Sequence, residues 1–289
     1  MDDRTPEAIA ARATAVRPLL ARLLRKDPGP LVHQPYGHGN LVFRLPAHGL
    51  VAKTSTDLAA FRHTAANLRI LRDLGLPVPT VATSGDDGLH AALVLHWIPG
   101  RDLGHALATM TTGQKRTLAR QVAEVQSRVV ALPVGRGYGW APLGAKAPFP
   151  TWAAAVEREL DRLPPAYRSR FVLRRLHQSH FRSVPSRPFL DDLTVKNVLI
   201  RDGRLTGIVD LDLVGHGDPL FWLALAETTA VLDCDDADYG RLLRRAWAPT
   251  PRAERITDFY AAMFAASFLA RAPSERMRLF FERRLARAR

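Results

Sequence analysis

The sequence predicts an α+β chain of two lobes: a small antiparallel sheet carrying one helix, then a larger, mostly helical lobe. Three observations lead to this reading. Short apolar runs broken by Gly, Pro and Asp turns fill residues 31–98. Helical periodicity dominates after residue 100. Pro99-Gly100 punctuates the change from one pattern to the other. The lobes are accordingly placed at residues 1–98 and 99–289.

The first lobe opens on a helix. Thr5 is placed to cap it, Pro6 suits the first helical position, and Leu19, Leu20, Leu23 and Leu24 form an apolar stripe. Pro18 is expected to kink or divide this element, and Asp27-Pro28-Gly29-Pro30 to end it. Strands are read at 31–33, 41–45 and 50–53, with the glycine-containing turn Tyr36-Gly37-His38-Gly39-Asn40 between the first two. A helix is read over 57–73, with Leu58, Phe61, Ala65 and Leu68 near one face. Strands at 79–83 and 93–98, joined by the turn Gly85-Asp86-Asp87-Gly88, complete the sheet.

In the second lobe, 112–132 is the clearest amphipathic stretch, since Leu118, Val122, Val125 and Val129 recur at spacings of 4, 3 and 4. The Gly- and Pro-rich stretch 133–150 reads as a loop without regular structure. Helices follow at 151–163 and 166–180, then a non-helical segment from Pro185 to Asp192. Short strands at 197–201 and 205–210 flank Asp202-Gly203, and helices resume at 219–232, 238–247, 252–270 and 274–287.

Composition narrows the class. The chain is 289 residues long, 47% hydrophobic and 24% charged, which is ordinary globular usage. No apolar run reaches the roughly 18 residues of a membrane span. Charges scattered through the first twenty residues do not form a signal-peptide pattern, so a cytoplasmic protein is expected. Cys234 is the single cysteine, which excludes an internal disulfide framework. The formal net charge is +13, and lysine occurs only at 26, 53, 115, 146 and 196, so 36 of the 41 basic residues are arginine. Those arginines are spread over nearly every helical segment as solvated faces, and a nucleic-acid partner is not expected.

The chemistry-bearing residues gain meaning from their order. A glycine turn at Gly37 and Gly39 can approach nucleotide phosphates closely through backbone N–H groups. Lys53, two strands further on, can neutralise phosphate oxygens. Asp192 and Asn197 stand five residues apart, just before the apolar run Val198-Leu199-Ile200. This spacing allows the carboxylate to orient an acceptor hydroxyl while the amide oxygen helps hold magnesium. Asp210 follows a second strand, where its carboxylate can bind the same metal.

At these residues the sequence resembles a known family. Phe189-Leu190-Asp191-Asp192-Leu193-Thr194-Val195-Lys196-Asn197 is similar to the catalytic loop of the aminoglycoside phosphotransferase and choline kinase superfamily. Gly207-Ile208-Val209-Asp210-Leu211-Asp212, followed by Gly217-Asp218-Pro219, is similar to its metal-binding strand and the turn beyond. The resemblance implies a protein kinase-like two-lobed fold with a nucleotide-binding first lobe. It implies Mg²⁺-dependent transfer of the γ-phosphoryl group of ATP or GTP to a small-molecule hydroxyl. Asp192 would be the catalytic residue, Asn197 and Asp210 the Mg²⁺ ligands with Asp212 assisting, and Lys53 the contact to the α- and β-phosphates. The backbone from His96 to Ile98 would face the nucleotide base.

Two departures from the family pattern stand out. Leu190-Asp191-Asp192 replaces the usual His-Gly-Asp, and no acidic residue lies between 58 and 72, where such folds carry a glutamate partner for the strand lysine. The second departure keeps open a nucleotide-binding module that regulates a partner without turnover. A kinase acting on a peptide hydroxyl is the remaining alternative. The basic balance favours a neutral or anionic acceptor over a polycation.

Overall fold

Thr5 starts the first helix by accepting a hydrogen bond from Ala8 N at 3.2 Å, with Pro6 in the first turn, where its missing N–H costs nothing. This helix, α1, runs Pro6–Leu24 without interruption in the computed structural model, so Pro18 does not divide it. An interior proline costs about 3 kcal/mol. Val16, Leu19 and Leu20 are fully buried around it, and burial of such side chains is worth about 1.5–3 kcal/mol each. Packing therefore outweighs the lost hydrogen bond. The structure describes residues 5–35, 40–168, 171, 175–212, 214–272 and 274–287.

The chain divides into two units between Pro99 and Gly100. In the first, β1 (Val32–Gln34), β2 (Leu41–Leu45), β3 (Leu50–Ser55), β4 (Val81–Asp86) and β5 (Ala91–His96) form one antiparallel sheet in the order β1-β2-β3-β5-β4. Leu41, Phe43, Leu45, Leu50, Ala52, Ala92 and Val94 face α1 in a shared apolar core. The helix expected over 57–73 forms only as α2 (Thr64–Asp73). Before it, Asp57 Oδ1 accepts from Ala59 N at 2.9 Å, and the bonds Ala60 N to Asp57 O and Arg62 N to Ala59 O, each 3.1 Å, close tight turns instead. A short acidic side chain that captures a backbone N–H competes with helix formation at that point.

The second unit begins with two short elements that periodicity did not signal, β6 (Arg101–Asp102) and α3 (Leu103–Leu107). The amphipathic α4 (Thr112–Val130) starts on a reciprocal capping box between Thr111 and Gln114. The segment read as structureless contains β7 (Gly139–Ala141). Then come α5 (Trp152–Asp161), α6 (Pro165–Arg168), α7 (Arg175–Ser183), and β8 (Arg187–Phe189), which lies inside the segment expected to be irregular. Next are β9 (Val198–Arg201), β10 (Arg204–Ile208) and β11 (Val214–Gly217), followed by α8 (Leu220–Cys234), α9 (Ala237–Trp247), α10 (Pro251–Phe268) and α11 (Glu275–Arg287).

Two small sheets carry the irregular segments, ordered β10-β9-β6 and β7-β11-β8. The second explains why β7 escaped notice: its partner β11 lies far along the chain, and pairing rather than local pattern makes it a strand. A Cβ on Gly215 would stand 2.1 Å from the Phe189 ring, so the ring packs there only because position 215 lacks a side chain.

Behind these sheets, Glu227 on α8 is buried at 2% exposure. It accepts from Arg244 at 2.6 and 2.8 Å and from Arg284 at 3.2 Å, which ties α8, α9 and α11 together. The terminal arginine-rich helix is thus packed through Met277, Phe281 and Leu285, with Arg284 aimed inward. Among the described residues no helix is long and apolar enough to cross a membrane. Removing one partner of a buried ionic cluster costs about 3–5 kcal/mol. Glu227→Gln should accordingly lower the urea midpoint by that equivalent at an unchanged slope, and a midpoint equal to wild type would refute the role given to this cluster.

Candidate active site

The segment from Leu190 to Asn197 connects β8 to β9 and is held at its backbone from three directions. Gln126, fully buried on α4, donates from Nε2 to Leu190 O and accepts from Leu190 N, both at 2.9 Å. The Trp222 indole on α8 donates to Leu193 O at 2.9 Å, and Gly104 N on α3 donates to Val195 O at 3.1 Å. Within the loop, Thr194 N donates to Asp192 O at 2.8 Å and Asn197 N to Thr194 O at 3.1 Å. A buried loop can hold one shape only if its peptide groups are paired in this way.

Asn197 is tied directly to Asp192. Its Nδ2 donates to Asp192 O at 2.9 Å and to Asp192 Oδ2 at 2.7 Å. Both amide hydrogens are thereby committed to Asp192, and the amide oxygen is left as an acceptor turned from it. Asn197 O also accepts from Val209 N at 2.9 Å, which extends the β9–β10 pairing beyond Val198 and Ile208. Asp210 therefore emerges beside Asn197. Its φ of 63° is a left-handed conformation that costs a non-glycine residue about 1 kcal/mol, and aspartate tolerates it better than most. Asp212 is half-buried just beyond.

The electrostatics follow from this crowding. Asp192 reaches solvent on one side, yet the protein packed around its carboxylate pushes its pKa up to about 6, with Asp210 adding like charge and the Asn197 hydrogen bond opposing the rise. Asp191 is raised to about 7, first by burial and then by Asp192, while the indole hydrogen bond from Trp140 pulls it back. Asp233 at the end of α8 also acts on Asp192 and is itself paired with Lys196 at 2.6 Å.

In the first unit, Lys53 lies within β3 between Val42 of β2 and Leu93 of β5, with Nζ 5.9 Å from the Phe61 ring centre. His96 ends β5 opposite Leu50, its N–H donating to Thr80 O at 2.8 Å, and Ile98 is half-buried two residues on. Gly37 and Gly39 lie outside the described residues. The buried positions of α2 are Thr64, Asn67, Leu68 and Leu71, none of them acidic. Among the described residues no cluster of three His, Cys, Asp or Glu forms a ready-made metal cage. The donors at hand are oxygens of one amide and a few carboxylates. That set suits Mg²⁺, which takes few protein ligands and completes its shell with water and phosphate.

Comparison with known proteins identifies the chain. The model of the phosphotransferase enzyme family matches residues 32–251. The chain belongs to that family. Its architecture is the protein kinase-like two-lobed fold. A thermostable mutant of the aminoglycoside phosphotransferase APH(4)-Ia, in ternary complex with AMP-PNP and hygromycin B, is similar at 18% identity and a TM-score of 0.67, covering 95% of this chain and 98% of that one. ADP-bound APH(2'')-Ib is similar at 13% identity and a TM-score of 0.62, covering 98% of both chains. APH(2")-IIa in complex with gentamicin gives 14% identity and a TM-score of 0.61, over 94% of this chain and 95% of that one. No curated protein sequence matches the chain.

Two residues that hold this phosphotransferase-family loop, Gln126 and Trp222, carry no mark of that role in the sequence. Gln126 stands out only as a polar residue on the otherwise apolar stripe of α4. Trp222 leaves no signal, because its partner is a backbone atom distant in sequence. Of the three aromatic residues that border the long loop, Trp140 meets Asp191, and Trp152 and Tyr138 are packing residues. Trp152 is fully buried and donates to Tyr260 OH at 2.6 Å, and Tyr138 OH donates to Val184 O at 3.0 Å.

The raised carboxyls fix the sign of a pH effect. Above about pH 4 the unfolded chain releases these protons while the folded chain still holds them, so folding stability falls as pH rises from about 4 to about 7. Asp191→Asn, which removes one of the two, should gain melting temperature over wild type at pH 8 in EDTA, with the gain shrinking toward pH 4. A gain independent of pH would show that Asp191 is not held at a raised pKa.

Proposed function

We propose that this chain transfers the γ-phosphoryl group of ATP or GTP, with Mg²⁺, to a hydroxyl of a small molecule. The observation that carries the reading is Asn197, which commits its amide nitrogen to Asp192 while its backbone carbonyl pairs with Val209, the residue before Asp210. Asn197 and Asp210 would ligate the metal, with Asp212 as an assisting carboxylate. A divalent cation there would offset the phosphate charge during transfer. Lys53 would pair with the α- and β-phosphates, the turn at Gly37 and Gly39 would approach them through backbone N–H groups, and the backbone at His96 to Ile98 would face the base.

Asp192 orients the acceptor hydroxyl and takes its proton as the new oxygen–phosphorus bond forms and the bond to the leaving diphosphate breaks. A carboxylate pushed up to about 6 is still ionised at neutral pH and is a stronger base than free aspartate. The acceptor class follows from local rather than overall charge. Net charge is +13, but the charges acting on Asp192 are those of Asp210 and Asp233, both negative. This field disfavours an anionic acceptor. The relatives bound to hygromycin B and gentamicin support a hydroxyl-bearing small molecule as the acceptor class. A second reading, nucleotide binding without turnover, is favoured by one observation: α2 offers no carboxylate on its buried face.

Titration of ATP and GTP with and without Mg²⁺ tests the nucleotide end. Tighter binding in Mg²⁺ is expected for wild type and Asp192→Asn, and its loss in Asp210→Asn. Labelled nucleotide with a panel of hydroxyl compounds then separates the two readings. Transfer should fall at least about 100-fold in Asp192→Asn, whereas transfer unchanged by that substitution would remove Asp192 from its role.

A further inference from the structure

We propose that Trp140, acting through Asp191, is a positioning residue for Asp192, locking the backbone that carries the reactive carboxylate one residue beyond the point Gln126 holds. The inference rests on the function proposed above, and its test is built to fail separately from it.

The geometry is continuous from a rigid wall to the reactive group. Trp140 lies at the centre of β7, paired across to Gly215 of β11. Its ring packs against Trp152 at 6.2 Å and edge-on to Phe221 at 5.4 Å, so the indole cannot swing freely. From that fixed mount Nε1 donates to Asp191 Oδ2. The Asp191 carboxylate also lies against the backbone N–H groups of Asp191 itself and of Asp192. These two N–H groups belong to the peptides on either side of the Asp191 Cα, so one carboxylate restrains both, and the Asp192 Cα stands at the far end of the second. One residue earlier, Gln126 takes both the N–H and the carbonyl of Leu190. The Leu190–Asp192 backbone is therefore clamped by two side chains from different elements, one polar and buried, one aromatic.

Asp191 carries a cost that needs an explanation. A half-buried carboxylate beside another carboxylate is unfavourable, and burial together with Asp192 raises it to about 7. An asparagine would accept the same indole hydrogen bond without that penalty. Asp192 on the same loop is the charge that acts on it most strongly, and β7 contributes Trp140 and no charge. The ionisation of Asp191 is thus reported by the indole that holds it, which supplies the experiment.

Uniformly ¹⁵N-labelled protein gives one indole signal for each of its five tryptophans, and Trp140→Phe identifies the one that matters. Its indole N–H resonance should titrate with a midpoint near 7 in wild type, become flat in Asp191→Asn, and shift its midpoint to lower pH in Asp192→Asn. A Trp140 signal that does not move between pH 5 and 9 would overturn the contact. Positioning is read separately, by hydrogen exchange of the peptide spanning 189–197. Exchange there should rise at least tenfold in Asp191→Ala, which leaves the aromatic wall intact, and return to within about twofold of wild type in Asp191→Asn. Protection of β2 and β3 should stay constant in both. Equal exchange in Asp191→Ala and wild type would overturn the positioning role. Neither readout requires turnover, so a chain that binds nucleotide without transferring phosphate still decides the question.

Discussion

The second unit is organised around carboxylates that repel one another. Asp210 raises Asp192, and Asp192 raises Asp191. Ionised neighbours of this kind destabilise a fold unless hydrogen bonds to the charged forms and a rigid frame hold them in place. The surrounding structure supplies both. Asn197 bonds the Asp192 carboxylate, Trp140 bonds that of Asp191, and Gln126, Trp222 and Gly104 fix the backbone between them. Further from the loop, the buried Glu227–Arg244–Arg284 cluster keeps in register the helices from which Trp222 projects.

Much of the fold was legible because most elements are set by local pattern. The capping signals at Thr5 and Thr111 and the stripe Leu118, Val122, Val125 and Val129 each specify an element without reference to the rest of the chain. What was not legible depends on partners far away. β7 and β8 are three-residue strands because both pair with β11, and nothing within 139–141 or 187–189 announces it. Pro18 misled in the other direction, since its local cost is real but smaller than the burial around it. The short α2 reflects competition by the Asp57 side chain, which periodicity alone does not register.

At the site, spacing anticipated the proximity of Asp192, Asn197 and Asp210, because adjacent strand ends convert a sequence interval into nearness. The supporting residues were harder to foresee. Gln126 works through backbone atoms on a loop far along the chain, and Trp140 through a carboxylate that the sequence presents only as a neighbour of Asp192. Two adjacent aspartates leave open, by sequence alone, which of them faces the acceptor. The geometry separates them: Asp191 turns to the Trp140 indole and Asp192 to Asn197. Net charge was the least informative feature, because the field at Asp192 comes from a few carboxylates and not from arginines spread over the helices.

The central claim is that Asn197 and Asp210 form the metal end of a phosphoryl-transfer site. A crystal structure with Mg²⁺ and a non-hydrolysable nucleotide tests it most directly. The account predicts a cation bonded at about 2.0–2.1 Å to the Asn197 amide oxygen and to an Asp210 carboxylate oxygen, with Asp192 unligated. A nucleotide-bound cation that touches neither residue would contradict it.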